Sequence, residues 1–259
     1  LNAGQSSTMT VTTSSTTPTG TFPITVTGTG SAATHSTTFT LTVNPASPGP
    51  ALVQTASGTE TTSAATLSGT FPAATGSGDL LVLSASEYNG ATNHITSVTD
   101  TAGNTWTRIG SYDVAGHNSN GEMWYSAAAK PTTMVTAHNG TAAFEAFEVL
   151  DFTGVAISGP LDTSNGSSNT GTSASSGTAT SSLANEVAVG FVAGHGNTQR
   201  ITVTSPGYTA QSQQNTTGTI ATVVTGYQVL GTTGAQSIAG TFASGMYWAS
   251  GIAVFKPAG

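Results

Sequence analysis

Apolar residues recur at every second position along much of the chain. In "STMTVTTSSTTPTGTFPITVTGTGSAATHSTTFTLTVNP", residues 7–45, Met9 and Val11 alternate with Thr. Phe22, Ile24 and Val26 then alternate with Pro and Thr, and Phe39, Leu41 and Val43 with Thr. A period of two places one face of a strand inward and the other in water, so the segment predicts three strands. Three strands are too few to close a sandwich. Their apolar positions are therefore the expected assembly face.

The stretch "ASPGP", residues 46–50, predicts a boundary, because Pro and Gly interrupt ladder pairing and closely spaced Pro stiffens a connection. Beyond it the alternation resumes, and no amphipathic helical period stands out. Strands are predicted at 52–56, 65–71, 79–86, 94–99, 104–112, 121–128, 132–137, 143–152, 186–193, 200–204, 208–213, 219–230, 235–242 and 246–255. Short runs separated by Gly, Asn, Ser and Pro predict a sandwich or barrel. The fold class expected is all-β: a partial immunoglobulin-like sandwich over 1–45, the linker, and a large jelly-roll-like β-sandwich over 51–259. The low-complexity segment 162–182 reads as a loop or a Thr/Ser-rich edge strand. In "MYWASGIAVFKP" both parities are apolar, which predicts a strand covered on both faces; the alternative is an outward face meeting a neighbouring subunit.

Composition narrows the function. Charged residues make up 6% of the chain, far below the usual quarter, and Gly, Ser, Thr and Ala fill the difference. Such a surface has little charge to hold copies apart and suits secreted or cell-surface β-proteins. The formal charge is -7, and Arg108, Lys130, Arg200 and Lys256 are too few and too scattered for nucleic-acid binding. There is no Cys, hence no disulfide or thiolate metal site, and no apolar run reaches the roughly 20 residues of a membrane span. A chain that opens on Leu1 without a signal peptide is expected to be a mature, trimmed or partial product.

Residues 5–45, through "TPTGTFPITVTGT" and "HSTTFTLTVN", resemble the C-terminal half of bacterial immunoglobulin-like repeats, without their first half. The later stretches "SGDLLVLSAS", "ITSVTDTAGNTWTRIGSY", "MWYSAAA", "VLDFTGV", "GPLDTS" and "ASGIAVFK" resemble an uncharacterised secreted module of environmental bacteria. The resemblance implies extracellular accessory or surface use and carries no catalytic residues.

Candidate chemistry is sparse. "VTDTAGNTW" reads first as a hairpin turn; the alternative is a calcium loop using Asp100 and Asn104, with Glu87 or Asp113 as distant ligands. Trp106, Arg108 and Tyr112 share one parity, and Glu122 and Trp124 lie together on the next strand. Pairing would create an aromatic face with one Arg and one Glu, suited to a sugar ring or a protein interface; the plain alternative is core Trp with an Arg108–Glu122 pair at the sheet margin. His117 and His195 occupy similar Gly-rich loops without zinc-ligand spacing. Neither a Gly-x-Ser-x-Gly elbow nor a His-Glu-x-x-His motif occurs. Glu148 shares the apolar parity of Phe144, Leu150 and Phe152, and could promote an isopeptide bond from Lys130 or Lys256. No cofactor is expected. The predicted role is a non-enzymatic extracellular structural protein, a cell-surface or filament-forming subunit whose partners are copies of itself or other surface proteins. The alternatives are a carbohydrate-binding accessory module, with polysaccharide as partner, or a phage fibre component.

Overall fold

A computed structural model describes residues 6–14, 16–45, 48–89, 92–127, 129–196, 199–218 and 220–259. Every regular element among them is a β-strand, and no helix is long and apolar enough to cross a membrane. Contacts divide the chain into two compact units, Leu1–Ser47 and Pro48–Gly259.

The first unit is a hairpin of β1 (Gly20–Thr29) and β2 (Thr34–Val43). Its register pairs Phe22 with Leu41, Ile24 with Phe39 and Gly20 with Val43, so Phe22, Ile24, Val26, Phe39, Leu41 and Val43 share one face. The other face is a hydroxyl ladder, with Thr25 against Thr38 and Thr27 against Ser36. The predicted strand through Met9 and Val11 does not form: residues 6–14 carry no strand, and both side chains are exposed. Alternation alone makes no strand without a ladder partner, and this segment pairs with none among the described residues.

The second unit is a sandwich whose two sheets each come from one contiguous half of the chain. The first half contributes β3 (Ala51–Thr59), β4 (Ala64–Thr70), β5 (Leu80–Tyr88), β6 (Ile95–Asp100), β7 (Thr107–Val114), β8 (Ser119–Ser126) and β9 (Met134–Thr153), in the order β3-β9-β5-β8-β7. The second contributes β10 (Leu161–Ser175), β11 (Ala179–Ser181), β12 (Val187–His195), β13 (Thr202–Val203), β14 (Thr209–Ala210), β15 (Gln214–Asn215), β16 (Ala221–Val229), β17 (Gly234–Gln236) and β18 (Ala239–Phe255). Its sheet runs β10-β18-β12-β16-β14, with β13 on β18 and β15 on β16, while β11 and β17 pair as a separate two-stranded ladder. An all-β sandwich is what the sequence predicts. A jelly roll, however, winds successive strands alternately between its sheets, whereas here each sheet keeps its own half.

The two halves repeat one plan. β5 and β12 both have nine residues; β5 lies between β9, the long last strand of its half, and β8, and β12 lies between β18, the long last strand of its half, and β16. Leu80 pairs with Phe152 as Val187 pairs with Phe255, and Tyr88 pairs with Ser119 as His195 pairs with Ala221. A Gly-Pro dipeptide, 49–50 or 159–160, precedes the first strand of each half.

The sheets meet through Leu80, Val82, Met123, Leu150 and Phe152 on one side and Val187, Val189, Phe191, Val223 and Phe255 on the other, all fully buried. Each sheet is also covered outside, which explains the strands apolar on both parities. The first half of β9 pairs with β4 and β6, the second half with β3 and β5. β9 thus unites the predicted strands 132–137 and 143–152, since "HNG" continues the ladder instead of turning. Segment 162–182 supplies the edge strand β10, and β18 lies centrally between β10 and β12.

Candidate functional site

The aromatic face predicted on β7 and β8 is closed. The β7–β8 register shifts between Arg108 and Gly110, leaving Arg108 opposite Trp124, Ser111 opposite Glu122 and Tyr112 opposite Gly121. An extra residue inverts the parity that follows it. Tyr112 therefore leaves the predicted face and points into the core between the sheets, 6.2 Å from Phe191. Arg108 Nε donates to Glu122 Oε2 at 3.0 Å, its guanidinium lies 4.5 Å over the Trp124 ring, and it also donates to the Ile95 carbonyl. Trp124 Nε1 donates to the same Glu122 oxygen, and Trp124 is 6% exposed. Trp106 is half-buried against the same core cluster. Trp124 thus presents no open ring face, and Trp106 and Tyr112 are only partly exposed.

Arg108 instead acts as the counter-ion of a buried acid. Arg108→Ala is expected to cost on the order of 3 kcal/mol in thermal or urea unfolding, because it strands Glu122 without its partner. A change below about 0.5 kcal/mol would contradict that role.

The Asp100 turn is likewise committed. Asp100 Oδ1 accepts from the Ala102 and Asn104 amides, and Oδ2 from Trp106 Nε1 at 2.8 Å. Asn104 Oδ1 accepts from the Lys130 amide. These oxygens hold the turn and offer calcium no free ligand set. Glu87 and Asp113 both flank Asn120 in the sheet, and among the described residues no cluster of three metal-ligating side chains forms.

Sequence reading missed a buried carboxyl cluster at the same end of the sheet. Glu87 pairs across the sheet with Glu145 on one side and Asn120 on the other, with Glu122 two positions along β8. Asn120 Nδ2 donates to Glu87 and Glu122, Asn139 Nδ2 donates to Glu145, and the Glu145 amide donates to Glu60. All four acids are buried. Burial pushes Glu145 up to about 8 and Glu60 up to about 7. Burial, then the neighbouring Glu122 and Glu145, raises Glu87 well above the usual carboxylate range. Glu60 Oε1, Glu87 Oε1, Glu145 Oε1, Asn139 Oδ1 and His94 Nε2 are buried without a hydrogen-bonding partner. Burial thus favours the protonated form of Glu60, Glu87 and Glu145, while Glu122 is the member of the cluster that faces Arg108.

Glu148 faces the interior between the sheets, beside Thr225, and burial pushes it up to about 8. Neither lysine reaches it: Lys256 lies 3.9 Å from Asp162, and Lys130 makes no ion pair. His195 is a core residue and not an exposed loop histidine. Its Nε2 is 2.9 Å from Ser86 Oγ, and burial lowers it to about 4. His117 stacks on Tyr247.

A cleft of about 670 Å³ lies on the second half, between residues 199–203 and 210–215, with Val224 in its lining. Gln213 ties its walls together. Its Oε1 accepts from the Ile201 amide at 2.8 Å, and its Nε2 donates to the Gln199 carbonyl and to Asn215 Oδ1. Ser244 closes on Gln199 from outside. Arg200, Thr202, Gln211 and Ser212 also line the cleft, with side chains that bond to no described residue.

Comparison with known proteins gives no match. No family model, no curated protein and no solved structure matches the chain. Function is therefore argued from the geometry of this chain. The cleft escaped the sequence reading because Gln, Ser and Thr in "TAQSQQNTT" look like any polar loop. Only the fold brings 199–203 beside them.

Proposed function

We propose that the chain is a non-enzymatic extracellular structural protein, a cell-surface or filament-forming subunit that assembles through its N-terminal strands. The observation that carries this reading is the β1–β2 hairpin. A two-stranded hairpin is at best marginally stable in water, yet this one presents an apolar face whose Phe22, Val26 and Phe39 remain 38%, 43% and 39% exposed. Among the described residues one edge of each strand is paired, which leaves two ladders of backbone groups open. Strand addition from another chain satisfies such edges and buries such a face at once. The resemblance of this stretch to the closing part of an immunoglobulin-like repeat supports the same reading. The low charge of the surface supports close packing of copies.

Sedimentation of the intact chain checks the proposal. Mass is expected to rise with concentration, and Phe39→Lys is expected to return the protein to monomer without altering the melting of the sandwich. A wild-type chain that stays monomeric at millimolar concentration sinks the idea.

A further inference from the structure

The repeated plan of the two halves shows how they differ at the cleft. In the first half, Arg108 pairs with Trp124 across β7 and β8, and Glu122 lies two positions on. In the second half, the register of β14 and β16 pairs Ala210 with Gly226, and Val224 lies two positions on. The Arg108–Trp124–Glu122 plug of one half is thus replaced by Ala210, Gly226 and Val224 in the other. Ala210 and Val224 line the cleft, while Ile238 and Tyr208 cover Gly226. The carboxyl cluster is replaced in the same way: Glu87, Glu145 and Asn120 correspond to Gly194, Trp248 and Thr222.

Charge follows the same division. Nine of the eleven carboxylates precede residue 154, leaving Asp162 and Glu186 as the acids of the second half. Asp162 is engaged by Ser182 and Lys256, and Glu186 by the Leu183 amide. No acid lines the cleft. Of the four basic residues, Arg108 and Lys256 are paired, while exposed Arg200 sits at the cleft with no partner.

We propose that this cleft binds an acidic polysaccharide, with Arg200 taking a uronate carboxylate and Gln211, Ser212 and Thr202 hydrogen-bonding ring hydroxyls. An arginine fork matches a carboxylate in two parallel hydrogen bonds. Amide and hydroxyl side chains both donate and accept, as sugar hydroxyls require. The volume falls in the range of ligand sites, and the Gln213 bridge holds the walls in place before binding, which limits the entropy lost on association. The open form of the cleft lets a polymer enter along its length. This site is independent of the hairpin and of the assembly proposed for it.

Affinity electrophoresis of the intact chain through gels containing polygalacturonate, with neutral dextran as comparison, tests the proposal. Polygalacturonate is expected to retard the wild type, and added salt to weaken the retardation. Arg200→Ala is expected to lower affinity about tenfold or more, Arg200→Lys to restore part of it, and Gln211→Ala to lower it several-fold. Lys130→Ala, which removes the same charge from a site outside the cleft, is expected to bind as wild type. Unchanged melting curves show that each variant is folded. No retardation of the wild type, equal retardation by dextran, wild-type binding by Arg200→Ala, or equal losses in Arg200→Ala and Lys130→Ala would each overturn it.

Discussion

The melting temperature is expected to fall by roughly 6–12 °C between about pH 6.5 and about pH 8, a loss on the order of 3 kcal/mol. The cause is the set of buried acids. Glu145 and Glu148 titrate at about 8 in the folded chain, Glu60 and Asp151 at about 7, against ordinary values of 4.5 for Glu and 3.8 for Asp. Above those ordinary values the unfolded chain has released its protons while the folded chain still holds them. The folded state then binds more protons, so stability falls as pH rises, until the folded groups also ionise. His195 works in the opposite sense. Its folded value near 4 lies below the ordinary 6.5, so stability is lost as pH falls through that interval. Four acids outweigh one histidine, so the net trend is a loss of stability with rising pH from about pH 5 upward. Glu145→Gln keeps an acceptor for Asn139 and removes one titrating proton, so it is expected to raise the melting temperature by a few degrees at pH 8, by less at pH 6, and not at all near pH 4.5, where the unfolded chain also keeps the proton. A melting temperature that climbs between pH 6.5 and 8 would show that the acids are ionised and paired in the folded state.

Gly251→Ala is expected to destabilise the sandwich by about 3 kcal/mol or more, at the upper end of overpacking costs. Gly251 on β18 faces Gly166 on β10, and the Tyr112 ring lies against both. A Cβ at Gly251 would come within 2.6 Å of Tyr112 and 2.7 Å of Phe191, and one at Gly166 would fall on the Tyr112 ring itself. Neither aromatic can retreat, because Phe191 is fully buried in the core that joins the sheets. Tyr112→Phe keeps the ring and is expected to cost less than about 1 kcal/mol, since the hydroxyl makes one long bond, 3.3 Å to the Asn165 carbonyl. Tyr112→Ala is expected to cost about 3–5 kcal/mol through the void it leaves. Urea unfolding of the three variants separates packing from hydrogen bonding, and a tolerated Gly251→Ala would mean that the sheets can slide apart locally.

What could be read from the chain follows from how local its causes are. Strands β3 to β8 and the centrality of β18 were legible because alternation, or apolarity on both parities, depends only on neighbouring residues. Residue 108 and residue 112 look equivalent by parity, but a one-residue bulge depends on the partner strand, and it sends Tyr112 to the opposite side from Arg108. Met9 and Val11 alternate as well as Phe22 and Ile24 do; only the latter have a strand beside them. The carboxyl cluster gathers Glu60, Glu87, Glu122 and Glu145 from four separate segments, and no spacing announces that. The plain reading of Trp124 as core and of Arg108 as the partner of Glu122 was available from residue types alone, and it is what the fold displays.

Beyond the last strand of each half, the chain ends clasp each other reciprocally. Ala156, third past β9, donates to the Lys256 carbonyl, first past β18, while Ala258, third past β18, donates to the Gly154 carbonyl, first past β9. This exchange is the mark of an isologous contact, the kind that joins identical subunits about a two-fold axis. Here both partners belong to one polypeptide, so the sandwich forms at a fixed local concentration and does not dissolve on dilution. A true homodimer must carry every substitution twice. The tethered pair escapes that rule: one half holds a buried acid, Glu145, where the other holds Trp248, and a plug where the other has a cleft.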